Sequence, residues 1–227
     1  MKESLQNIGD LIAEPSTAFS SLKSQPRSGI AFCVFFLVSV LLGWAILPYS
    51  EGLISEQFSN STLEPEQREV AENMSDIMRS VGIFLGPIFA ILWFIVGSAL
   101  LKLASRFFVE GDTLKFRHIY AAVIHISLIG CIIQLVNTAL LLVFRDVGDI
   151  KTVVDFKMIP GLHLLLGSGA NPKLMMFLSH INPLSLWVIA VMAIAISVLA
   201  DVEKTKARIA AVIVGVLSIL PEVIFAT

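Results

Sequence analysis

Five long apolar runs, at 29–48, 82–101, 119–144, 184–200 and 209–226, constrain this chain more than any other feature it has. A helix needs about 20 apolar residues to cross hydrocarbon, and each run approaches or exceeds that length. Lipid offers no hydrogen bonds to the backbone, so a run of this kind must satisfy its own N–H and C=O groups as a helix. The expected fold is an all-α integral membrane protein, a bundle of five transmembrane helices. A chain that is 56% hydrophobic and only 15% charged, with a mean hydropathy of +0.84, fits that class and not a soluble domain. The polar remainder is too small for a further catalytic domain of ordinary size.

Residues 1–28 form a polar head before the first run. The head is long for the leading part of a signal peptide, and Leu47-Pro48-Tyr49-Ser50 has no small-residue cleavage pattern, so the first span is expected to be a retained anchor. Leu11, Ile12, Phe19 and Leu22 could rest on the membrane surface, with Pro15 and Pro26 breaking any long helix. Charge placement sets the orientation. The head, the 102–117 connection and the 201–208 connection hold ten Lys and Arg, and the other side holds six. Because basic residues accumulate on the cytoplasmic side, the N-terminus is expected inside and the C-terminus outside. Lys102, Arg106, Lys204 and Arg208 are then candidate cytoplasmic contact residues for membrane lipids or a membrane-protein partner.

The connection after the first span is acidic, through Glu51, Glu56, Glu64, Glu66, Glu69, Glu72 and Asp76. Pro65 and the apolar spacing after it predict a short surface helix leading into the second span. The acidic residues lack the alternation and glycine of a calcium loop and are expected to form a solvated face. The other outward connection is apolar around 153–170, interrupted by Pro160, Gly161, Gly167 and Gly169. It is too brief for a sixth crossing; it could lie at the interface or re-enter protein-lined space.

Intramembrane polar groups are the candidate functional residues, since lipid cannot replace their water hydrogen bonds. These are His125, Gln134, Asn137 and Glu222. His118 and His125, seven residues apart, share a helix face, but no third ligand completes a metal motif, and packing or hydrogen bonding is the expected role. Gln134 and Asn137, three apart, suit interhelical bonds or the wall of a polar passage. Glu222 could exchange a proton, attract a cation, or reach the headgroups beside Pro221. Gly82 and Gly86 have the small-residue spacing of close helix packing. Cys33 and Cys131 lie in apolar runs and are expected as small packed side chains. No catalytic, cofactor-binding or metal motif is recognisable, and a net charge of -2 gives no sign of a nucleic-acid partner.

The chain resembles the Yip domain family of multispanning membrane proteins. The resemblance rests on Pro15-Ser16-Thr17-Ala18-Phe19 in the head, the five spans, Asn182-Pro183-Leu184-Ser185-Leu186-Trp187 opening the fourth, and Asp201-Val202-Glu203-Lys204-Thr205-Lys206-Ala207-Arg208 leading into the fifth. It extends from about Glu14 to Ala226. It implies a helical membrane fold with an intracellular N-terminus and does not identify an enzyme. The family includes eukaryotic Golgi and endoplasmic-reticulum proteins that bind Rab-type GTPases in vesicle trafficking, and bacterial members. The head is shorter than the cytosolic extensions of many eukaryotic members, so a bacterial inner membrane is the expected setting. A noncatalytic membrane organiser or adaptor is the expected function, with a membrane-protein partner or a second copy of the chain. The competing expectation is a small oligomeric transporter or channel lined by Gln134, Asn137 and Glu222.

Overall fold

The computed structural model describes residues 2–59, 64–106, 115–167 and 169–226; side chains at 2, 3, 5, 51–53, 55–59 and 104–106 are not described. Among these residues eight α-helices follow in order: α1 (Lys2–Ala13), α2 (Pro15–Ser24), α3 (Gly29–Ser59), α4 (Pro65–Arg106), α5 (Phe116–Phe144), α6 (Pro172–Ser179), α7 (Pro183–Ala200) and α8 (Lys204–Ile224). Three short 3₁₀ turns lie between α5 and α6, and there is no strand among the described residues. The five apolar runs fall on α3, α4, α5, α7 and α8, the last run passing the end of α8 by two residues, and each helix is long and apolar enough to cross a membrane. Large apolar side chains such as Leu37, Trp44, Phe89 and Val143 are exposed along these helices. In water such faces would be a heavy liability; in a bilayer lipid covers them.

α5 is the central helix, packed against α3, α4 and α7. Ala121, Ala122, Ile124, Leu128 and Ile129 fill the core around it. A second cluster ties α7 to α8 through Ala193, Ile196, Ala207, Ala210, Ala211 and Val214, where alanines let the helices approach. Gly215 is part of this close approach, since a β-carbon there would lie 3.2 Å from Ile189. Gly82 and Gly86 differ from the expected packing pair: both face open space, because their side of α4 turns away from the other helices.

Local chemistry sets the helix boundaries. Asn182 caps α7, its Oδ1 accepting from the Ser185 N–H (2.9 Å), while Pro183 takes the first helical position, where its missing N–H costs nothing. At the other end Asp201 adopts the left-handed conformation (φ 52°, ψ 37°), which lets the chain turn directly into α8. Lys23 of the head donates to the Val198 carbonyl (3.0 Å) and to Asp201 Oδ2 (2.5 Å), pinning α2 across the exposed carbonyl end of α7.

The head and the acidic connection both differ from expectation. Leu11, Phe19 and Leu22 are buried in the main core, and only Ile12 of that apolar set is exposed. An amphipathic segment serves a membrane surface or a protein surface equally well, and here α2 lies on α5 and α7. Pro65 does start a helix, but α4 runs unbroken through Pro87 for 42 residues. At 1.5 Å per residue it is about 63 Å long, roughly twice the hydrocarbon thickness.

Candidate functional site

The expected polar residues do not form one group. His125 is buried near the middle of α5, where its Nδ1 donates to the Ala121 carbonyl (2.8 Å). That bond engages Nδ1 within its own helix. Among the described residues no group of three His, Cys, Asp or Glu could hold a metal ion.

Gln134 and Asn137 do share a surface. With Ser39, Trp93, Cys131 and Lys157 they line a cavity of about 720 Å³ between α3, α4, α5 and the connection from α5 to α6. Gln134 is exposed, while the Asn137 amide bonds through both its nitrogen and its oxygen to the 3₁₀ turn at Val153–Phe156 and the residues after it. Its Nδ2 donates to the Phe156 carbonyl (2.7 Å) and its Oδ1 accepts from the Met158 N–H (2.8 Å). The two bonds hold the peptide groups on either side of Lys157.

Lys157 is thereby aimed at the end of α8. Its Nζ donates to Glu222 Oε2 (2.9 Å), and His180 Nε2 donates to the same oxygen (3.1 Å). His180 caps the C-terminal end of α6, so one carboxylate joins the connection from α5 to α6, α6 itself and α8. An ionised carboxylate only accepts hydrogen bonds, which fixes Lys157 and His180 as the donors. With 54% of the Glu222 side chain exposed, each pairing contributes little by itself, typically under about 1 kcal/mol. The arrangement positions three segments.

The connection closes over this end of the bundle. Tyr49 Oη donates to the Arg145 carbonyl (3.1 Å), and Ile150 packs between Tyr49 and Leu141. Gly161 passes close to α6 and the turn after it: a β-carbon there would lie 3.0 Å from the Ser179 carbonyl oxygen and 3.2 Å from that of Ile181. The Leu162 N–H bonds to the Ile181 carbonyl (3.1 Å). His163 is buried beside this contact with no partner for Nδ1, and burial pushes its imidazole below the ordinary value of 6.5. Leu164 and Leu165, by contrast, form an exposed apolar crest.

At the opposite end, Lys204 and Arg208 are exposed on the first turns of α8. Lys102, partly exposed on α4, has an interaction of its own. Arg106 ends α4, and its side chain lies outside the described ones. Lys157 and His180 were not candidates from sequence. They are 65 and 42 residues from Glu222, and no spacing rule joins them.

Fold and site together define a class: a five-span helical membrane protein whose polar groups chiefly bind its own segments to one another. The Yip1 domain family model matches residues 9–224, nearly the whole chain, and the chain belongs to that family. No curated protein and no solved structure matches it.

Proposed function

We propose that the chain is a noncatalytic membrane organiser that associates with other membrane proteins, or with further copies of itself, through the faces of its spans. One observation carries this reading: only 6% of the most apolar window of the first span is buried within the chain. Almost every residue of this helix is at least partly uncovered by its own protein, and its exposed face, with Leu37, Leu41 and Trp44, is left to lipid or to a partner. Membership in the Yip1 domain family supports a role in membrane trafficking or organisation. The head and the basic 201–208 connection face the cytoplasm in this reading, the C-terminus faces outward, and the setting is a bacterial inner membrane. The test is photo-crosslinking in native membranes from Leu37 and Trp44, both exposed on α3. Discrete adducts to a membrane protein or to a second copy are expected; adducts to lipid alone would overturn the proposal.

The cavity lined by Gln134, Asn137 and Lys157 favours a second reading, a small transporter or channel. It predicts proton or cation flux in sealed liposomes that falls in Gln134→Leu at matched insertion. The bonds that occupy both ends of the Asn137 amide favour the organiser instead.

A further inference from the structure

A groove runs between α7 and α8, with a volume of about 660 Å³. On α7 its wall is Leu186, Ala190, Ile194 and Val198, a strict four-residue spacing that places them on one face. On α8 the same spacing gives Lys204, Arg208 and Val212, so the groove is apolar along its length and doubly basic at the head end. Neither Lys204 nor Arg208 has an ion-pair partner among the described residues. Ser16 of α2 also lines the groove, which therefore reaches the docked head.

We propose that this groove binds one anionic phospholipid, an acyl chain lying along α7 and α8 and the phosphate held between Lys204 and Arg208. Three physical features select this occupant. From Val198 to Leu186 the wall is about 18 Å long at 1.5 Å per residue, close to the roughly 15 Å of one leaflet's hydrocarbon. The groove lies between two helices in direct contact, whose axes are typically 8–10 Å apart, so it suits a single chain and not a third helix about 10 Å across. Two neighbouring cations at headgroup depth call for an anion, and basic side chains there snorkel to phosphate with their stems against the apolar wall. The inference needs only the membrane fold, so it stands or falls separately from the organiser reading.

Native mass spectrometry of the full-length protein, titrated with phosphatidylglycerol or phosphatidylcholine, tests it. One phosphatidylglycerol should be retained after phosphatidylcholine is lost. In the Lys204→Gln/Arg208→Gln double variant the preference should fall by about thirtyfold, whereas Lys204→Arg/Arg208→Lys should keep it. Ala190→Trp, with both cations intact, should fill the groove and release the lipid. Equal retention of the two lipids by the wild type would overturn the proposal, as would a preference that survives the double glutamine variant. Displacement by glycerol phosphate at equal concentration would make this a soluble-anion site and also overturn it.

Discussion

Asn137 grips the backbone on both sides of Lys157, taking the carbonyl of the residue before it and the N–H of the residue after it. The amide of one span thus sets the direction of a lysine that bonds to another span's carboxylate. Removing the grip and removing the charge should have unequal effects. Asn137→Leu leaves two partly buried peptide groups without partners, which costs about 1–3 kcal/mol for each group left unsatisfied. Its thermal unfolding in detergent should fall clearly, with faster hydrogen exchange around 153–159. A stability equal to the wild type would show that the clamp is not needed.

Glu222→Gln keeps the shape of the side chain and removes its charge. Because the group is more than half exposed, the loss over its two pairings should stay under about 2 kcal/mol, smaller than that of Asn137→Leu. Increased exchange at the α6 end and in the connection, with the rest of the bundle unchanged, is the expected signature. An effect exceeding that of Asn137→Leu would mean that the carboxylate has a deeper role than positioning.

Gly161→Ala should disturb the closure of the connection. The added carbon meets two backbone carbonyl oxygens, which cannot move aside as a flexible side chain would. A loss of about 1–3 kcal/mol is expected, with the Leu162 N–H losing its protection first. Wild-type protection at that amide would refute it.

His163 makes the connection sensitive to acid. Burial favours its neutral form and lowers its titration in the folded chain, so the unfolded segment binds the proton first. The stability it supports is complete above pH 6.5 and is lost progressively as pH falls toward the lowered folded value. Protection factors over 159–166, in which the intrinsic base-catalysed pH dependence of exchange is divided out, should therefore fall as pH is lowered through 6.5, and His163→Leu should flatten that dependence. An unchanged pH profile in the variant would remove His163 as its source.

Asn182→Ala should destabilise α7 by about 1 kcal/mol, because the Ser185 N–H loses its cap. Asn182→Ser should recover most of that loss in the same thermal measurement. If both variants match the wild type, the Asn-Pro pair has some other role.

Span positions were legible because hydrocarbon demands continuous apolar sequence, a signal that needs no knowledge of neighbours. Asn137 was legible as a group that must find a partner, though the partner is a loop backbone that no sequence pattern names. The Lys157, His180 and Glu222 meeting was not legible, since it arises only after α6 and the connection fold back onto α8. The docking of Phe19 and Leu22 was hidden for another reason: their pattern is the same whether lipid or α5 and α7 receives them. The extent of α4 was obscured by its charges, which suit a solvated helix as well as a loop.

An unbroken α4 also has a mechanical meaning. A rod of about 63 Å that pivots by 10° displaces one end by roughly 11 Å relative to the other. Its acidic start and the Lys102 turn near its finish therefore belong to one continuous element, so the positions of the two ends are set together and not by separate segments.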